Sequence, residues 1–230
     1  MRQNLTMQAF DAGRFKGLIE EGFTVIDTRN PEEFCDGFIE ESISIPFDEN
    51  FVDNYDELTQ PGQRIVLITE PDKTTNVFRA LKAAAIDSAE GYLEGGFAAW
   101  QDAGNDVDML IPIDESEFAI DYNFDEFYLV DVRSKEDFAK EHPEDAENIE
   151  LNDLEQILIE LDNKESYYVY GNTVTEAVTA GSIFKRTGFN RVRVVAASYD
   201  AIKQAGIPLF VQKKKDKGKE DKANSEFSDN

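Results

Sequence analysis

The sequence predicts an α/β protein built as two tandem copies of one unit, each a central parallel β-sheet with helices on both faces. Three internal echoes carry that prediction. Phe23-Thr24-Val25-Ile26-Asp27-Thr28-Arg29 returns as Phe127-Tyr128-Leu129-Val130-Asp131-Val132-Arg133. Ile65-Val66-Leu67-Ile68-Thr69 returns as Tyr167-Tyr168-Val169-Tyr170, and Trp100-Gln101-Asp102-Ala103-Gly104 as Ile202-Lys203-Gln204-Ala205-Gly206. All three offsets lie between 101 and 104 residues, the mark of a tandem duplication.

Each element follows in order. The first echo is a short β-rich run ending in Asp-x-Arg, then a polar segment, Asn30-Pro31-Glu32-Glu33-Phe34 or Ser134-Lys135-Glu136-Asp137-Phe138. The second is a continuous apolar run of strand length, as a parallel strand covered on both faces requires. Each such run leads through a polar loop into a helical pattern, Thr74 to Ala85 and Thr175 to Thr187. Thr74 and Thr175 read as helix N-caps with acids nearby. Strands alternating with helices imply right-handed crossovers.

The expected domains are residues 1–108 and 109–212, joined at the polar stretch from Asp106 to Glu117, which contains Pro112. From Lys213 to Asn230 six Lys stand against five acids with a single Phe, so residues 213–230 are expected to be a disordered charged tail.

Composition narrows the chemistry. The chain has 230 residues, 41% of them hydrophobic, and no apolar run near the roughly 20 residues that span a bilayer. The opening Met1-Arg2-Gln3-Asn4-Leu5-Thr6 lacks the plan of a signal peptide, so a cytoplasmic protein is expected. A net charge of −25 repels nucleic acid phosphates and anionic lipid, which removes both as expected partners. One cysteine, Cys35, forbids an internal disulfide or a multi-cysteine metal cluster. One histidine, His142, forbids a His-rich zinc site and leaves little for a histidine-activated nucleophile. No metal and no cofactor is expected.

The motifs resemble the rhodanese family over nearly all of residues 8 to 210. Asp27-Thr28-Arg29, Glu33-Phe34, Gly37-Phe38-Ile39 and Ser42-Ile43-Ser44-Ile45-Pro46 follow the family's opening pattern. Gly91-Tyr92-Leu93-Glu94-Gly95-Gly96-Phe97-Ala98-Ala99-Trp100 is the more specific closing signal. The second copy keeps Asp131-Val132-Arg133, Phe138 and Ala146-Glu147-Asn148-Ile149, with His142 near the family's usual histidine, but shows Ala197-Ser198 and Ile202 in place of the Gly pair and Trp. The wording around Leu67-Ile68-Thr69-Glu70-Pro71 is also similar to rhodanese-like domains fused behind metallo-β-lactamase-fold hydrolases. A hydrolase of that fold is therefore one expected partner, since this chain cannot supply its zinc ligands.

The resemblance implies a cysteine at the end of the central strand that carries sulfur as a persulfide, in a cradle of backbone N–H groups at the next helix. That position falls on Glu70 in the first copy and on Gly171 in the second, within one residue. The loops read Glu70-Pro71-Asp72-Lys73-Thr74-Thr75 and Gly171-Asn172-Thr173-Val174-Thr175-Glu176, and neither contains a nucleophilic thiol. Glu70 and Asp72 put carboxylates where an anion should be accepted, Pro71 removes a donor, and Glu176 stands where an arginine is expected. A cysteine installed at 171 is expected to fare better than one at 70, because Asn172, Thr173 and Val174 are uncharged and keep their N–H groups.

Other residues read as structural. Cys35 is expected to be a small, partly buried hydrophobe, its thiolate opposed by Glu32, Glu33 and Asp36. Asp27 with Arg29 and Asp131 with Arg133 are expected to tie strand ends to neighbouring loops. Gly95-Gly96 permits a tight turn, Trp100 belongs to the core, and His142 is a surface or capping residue. The leading expectation is a catalytically inactive binding or regulatory module with a protein partner. The alternatives are sulfur transfer through Cys35 or a partner chain, and a detached accessory module of a metallo-β-lactamase-fold hydrolase.

Overall fold

A computed structural model of the chain describes residues 8–212. The charged tail, with its expected disorder, lies outside the described residues. The first unit runs β1 (Gln8–Phe10), α1 (Ala12–Glu20), β2 (Thr24–Asp27), α2 (Pro31–Asp36), β3 (Ile43–Ser44), α3 (Phe51–Leu58), β4 (Ile65–Ile68), α4 (Thr74–Ala83), β5 (Ala89–Leu93) and α5 (Gly96–Asp102). The second runs β6 (Ile111–Ile113), α6 (Glu115–Phe124), β7 (Tyr128–Asp131), α7 (Lys135–Lys140), β8 (Glu141–Pro143), β9 (Ala146–Asn148), α8 (Leu154–Leu158), β10 (Tyr167–Tyr170), α9 (Val174–Arg186), β11 (Val192–Val195), α10 (Tyr199–Gln204) and β12 (Leu209–Val211).

The two sheets have the same topology, β1-β5-β4-β2-β3 and β6-β11-β10-β7-β9, each of five parallel strands. Every residue of β4 and β10 is buried, which explains their unbroken apolar spelling. In the first sheet Ile65 and Leu67 face the core built with α3 and α4, while Val66 and Ile68 face Phe15, Leu18, Phe97 and Trp100 of α1 and α5. In the second, Tyr167 and Val169 face α9, and Tyr168 and Tyr170 face Phe118 and Ile202. Period-two alternation thus feeds one apolar layer on each face.

Six of the ten described helix starts are set by short polar side chains. Asp11, Asn30, Asp114, Ser134, Thr173 and Ser198 each accept an N–H of the first turn, and Pro31 follows Asn30 where its missing donor costs nothing. Two sequence expectations need correction here. Thr175 is inside α9, and Thr173 is its cap. Thr74 is the first residue of α4 and not its cap; its hydroxyl lies 2.6 Å from that of Thr69.

The join is also more structured than its polar composition suggests. Ile111–Ile113, including Pro112, is β6, the edge strand of the second sheet, and edges are where strands tolerate proline. Asp108 exchanges two backbone hydrogen bonds of 2.9 Å with Phe38, and the Leu110 N–H reaches the Cys35 carbonyl at 3.2 Å. In the second unit the equivalent contact grows into the antiparallel pair β8–β12.

The two units share a core through α9. Residues 177 to 184 of this helix are all buried, because one side covers its own sheet and the other packs on β3 of the first. Ser182 accepts the Ser44 N–H at 3.0 Å and Thr179 donates to the Ser44 carbonyl at 2.8 Å, so side chains close the open edge of the first sheet. Lys185 pairs with Asp108 at 2.9 Å, and Arg186 donates to the Glu41 carbonyl at 3.0 Å.

Candidate functional site

Both loops of interest follow the central strand at the carboxyl edge of its sheet, where open α/β sheets place their ligands. In the first, the Lys73 and Thr74 N–H groups both turn back onto the Glu70 carbonyl, at 2.9 and 3.1 Å. Pro71 has no N–H to offer. Two donors that a cradle would point at an anion are therefore spent inside the turn, and a third is missing at Pro71. The Lys73 ammonium closes the loop further by pairing with the Glu70 carboxylate. That bond, with the fields of Asp72 and Glu33 added, holds the Lys73 ammonium above its ordinary value. Asp72 itself is exposed.

Across from this turn lie Gly95 and Gly96, with φ of 79° and 66°. The sequence reading of a tight turn holds for a specific reason: a Cβ on Gly96 would sit 2.8 Å from the Thr69 carbonyl oxygen. Between them opens a depression of about 410 Å³ lined by Arg29, Glu33, Asp36, Glu70, Pro71 and Phe97, among others. Its one cation, Arg29, is already committed to Asp27 and to the carbonyls of Gly37 and Glu33. The remaining charged groups are carboxylates.

The second loop is closed by a different group. The Glu176 carboxylate folds back and accepts the Asn172 N–H at 2.7 Å, while the Thr173 hydroxyl accepts the Glu176 N–H at 3.2 Å. This is a near relative of the capping box, with the carboxylate reaching one residue further back. Burial raises the Glu176 pKa, and the Asn172 N–H and the charge of Arg133 oppose it. The Thr173-x-x-Glu176 spacing is the signal that sequence reading passed over. Glu176 does more than replace an expected arginine; it places its own carboxylate inside the loop.

Gly171 explains why that carboxylate fits. A Cβ at 171 would meet the Glu176 Cβ at 2.6 Å and its Oε2 at 2.8 Å. A cysteine at 171 therefore carries a steric cost that the expectation from charge and N–H donors did not include.

Both Asp-x-Arg pairs are buried clamps, as their spelling suggests. Arg29 reaches both oxygens of Asp27, with Nη2 at 2.6 Å, and its guanidinium lies 4.0 Å from the Phe97 ring centre. Arg133 repeats this with Asp131 and stacks 3.4 Å over Tyr199, and its Nη2 donates to the Glu141 carbonyl at 2.8 Å. Burial lowers the Arg133 pKa and the Asp131 carboxylate raises it, with the balance upward, so the guanidinium stays charged. Tyr170 donates to the same Asp131 carboxylate.

Cys35 belongs to neither loop. It is 5% exposed in α2, does not line the depression, and packs in the core shared by the two units. Burial first, then the Asp36 charge, pushes its thiol up to about 11. The sequence named the charges and underestimated the burial. His142 is half-buried between Phe138 and Phe210, with ring centres 3.7 and 4.8 Å away. Its Nδ1 lies 2.6 Å from the Phe138 carbonyl in the last turn of α7, a capping position. Trp100 is buried and donates to the Asp106 carbonyl at 2.8 Å. Among the described residues no three His, Cys, Asp or Glu side chains gather as a metal site, and no helix is long and apolar enough to cross a membrane.

A fold of two such sheets with these loops defines a class, and comparison with known proteins gives its family. The pattern of the Rhodanese-like domain matches residues 11–103 and again 117–205. The chain belongs to the rhodanese-like family, with two copies of the domain. It is 30% identical over 112 residues to Protein HIGH ARSENIC CONTENT 1, mitochondrial, of Arabidopsis thaliana, a stretch covering 43% of this chain and 64% of that protein. Among solved structures it is similar to the Rhodanese-like domain of the Anabaena Alr3790 protein, with 20% identity, a TM-score of 0.43, and coverage of 53% of this chain and 96% of that one. It is also similar to the Thiosulfate sulfurtransferase of Pseudomonas aeruginosa, with 12% identity, a TM-score of 0.39, and coverage of 89% and 44%.

Proposed function

We propose that this chain is a non-catalytic tandem rhodanese-like module that works by binding a protein partner. One observation carries the reading: each loop that would hold a persulfide lacks the thiol and is closed by a charged group of its own, the Glu70–Lys73 pair in the first copy and the Glu176 carboxylate in the second. Sulfur transfer needs an accessible thiolate. Cys35, the chain's single thiol, is buried, protonated at neutral pH and not among the residues lining the first copy's depression. The fold survives without the chemistry, which resides in the site and not in the sheet. The acid-rimmed depression of the first copy suits a cationic group in place of an anion.

The test is thiocyanate formation from thiosulfate and cyanide by the full chain, beside Cys35→Ser. Turnover no higher than the buffer rate for both proteins is expected. Turnover that disappears in Cys35→Ser overturns the reading in favour of a sulfurtransferase using that residue.

A further inference from the structure

We propose that the outer face of α4 is a docking site for an acidic, extended polypeptide segment that inserts one large apolar side chain. The inference rests on the reading of the chain as a binding module and names the surface and chemistry of the contact. A groove of about 230 Å³ runs between α4 and the segment leading into β5, lined by Thr75, Phe78, Arg79, Leu81, Lys82 and Ile86, with Ala89 at its end. Phe78 and Leu81 are buried and Ile86 half-buried, so the floor is apolar, with volume for about one side chain. Arg79 and Lys82 stand exposed on the rim.

Two independent observations select the occupant. The first is charge. This chain carries 48 acidic residues against 23 basic ones, and most of its ordered cations have a carboxylate partner. Arg79 donates a hydrogen bond to Asn76 Oδ1 at 2.9 Å, and among the described residues neither Arg79 nor Lys82 forms an ion pair. Spaced three apart, they share one helix face. The groove's rim thus carries two cations with no ion-paired carboxylate among the described residues, which favours a carboxylate-bearing occupant over a cationic one.

The second is the twin surface. The N-caps of α4 and α9 are Lys73 and Thr173, so Arg79 and Lys82 correspond to Thr179 and Ser182. On α9 those two side chains hold the backbone of β3, an extended strand edge. The same helix face in the first copy has no hydrogen bond or ion pair to the second unit among the described residues. The duplicated fold therefore presents twice a face that packs extended polypeptide, and the uncovered copy has exchanged hydroxyls for cations. An extended segment places alternate side chains on one face. It can seat an apolar residue between Phe78 and Ile86 while its acids reach Arg79 and Lys82.

The experiment follows fluorescence anisotropy of a labelled Asp-Glu-Ile-Phe-Glu-Asp peptide, titrated at low salt with the full chain. Two further peptides serve as controls, Lys-Lys-Ile-Phe-Lys-Lys and Asp-Glu-Ser-Ser-Glu-Asp. Saturable binding of the first peptide is expected, weakened about ten-fold by Arg79→Gln with Lys82→Gln and abolished by Arg79→Glu with Lys82→Glu. Both variants are at exposed positions, and unchanged melting temperatures confirm their fold. The Ser-Ser peptide is expected to bind at least about ten-fold more weakly. Absence of saturable binding, equal binding by the variants, or tighter binding of the lysine peptide overturns the proposal. None of these results bears on sulfur transfer, so the thiocyanate assay stands or fails separately.

Discussion

Position 171 shows how far a single residue decides the second loop. Glycine there leaves room for the Glu176 side chain, and any Cβ collides with the Glu176 Cβ, which cannot swing away as a flexible tip would. Gly171→Cys is therefore expected to destabilise the protein by about 1–3 kcal/mol, the usual cost of overpacking. Pairing it with Glu176→Arg does not relieve the clash, since arginine keeps the Cβ. Urea melts of both variants check this, and a midpoint equal to wild type contradicts it. The Glu176 carboxylate has a second consequence, in pH. Its pKa is raised in the folded protein above the ordinary 4.5, so the fold holds that proton more tightly than the unfolded chain. The stability linked to that proton is fully present below the unfolded value and is lost as pH rises through the folded one. Glu176→Gln, which keeps an oxygen to accept the Asn172 N–H, should be more stable than wild type at neutral pH, with the difference vanishing in acid. Paired melts from pH 3.5 to 8 read the difference directly. Cys35 gives a third residue-scale expectation. With its thiol pushed up to about 11 and buried, alkylation by iodoacetamide at pH 8 should be slow in the native protein and fast in denaturant. Fast native labelling contradicts the burial.

At the scale of elements, α9 is the piece on which the assembly of the two units turns. Its run Ala177-Val178-Thr179-Ala180-Gly181-Ser182-Ile183-Phe184 is small or apolar on every side, as a helix packed all round must be. Gly181 lets it approach the second sheet, since a Cβ there would meet Val194 Cγ2 at 2.5 Å. Thr179→Val removes the donor to the Ser44 carbonyl without changing shape much, leaving a buried acceptor unpaired. A loss of about 1–3 kcal/mol is expected in chemical denaturation, and no loss contradicts the role given to this bond. The central strands and the helices after them were legible because full burial writes itself as unbroken apolar runs. The edge strands β1 and β6 were not, since each has three residues with two exposed and so no apolar run. The same holds for β12, while β8 is recognised only through its pairing. Helix starts were misplaced by one or two residues at Thr74 and Thr175. Threonines cluster at both starts, and backbone geometry selects Thr173 as the cap of α9 and Lys73, with no hydroxyl, as that of α4.

For the whole molecule, duplication preserved the frame and changed the two loops in different ways. Asp27–Arg29 and Asp131–Arg133 keep the same clamp and the same aromatic cover, so the strand ends are held alike in both copies. The missing thiols were plain in the sequence, but the manner of closure was not. It depends on side-chain direction, with Lys73 turned onto Glu70 and Glu176 turned onto Asn172. On the proposed reading, the first loop no longer serves as an anion cradle. The most direct measurement puts a single thiol back. In the Cys35→Ser background, Glu70→Cys is incubated with thiosulfate, and intact mass spectrometry counts added sulfur while thiocyanate is followed after cyanide. With Pro71 lacking its N–H and Asp72 beside the new thiol, no stable persulfide and no turnover above buffer are expected. Stoichiometric persulfide with sustained thiocyanate formation would show a working cradle and contradict that reading.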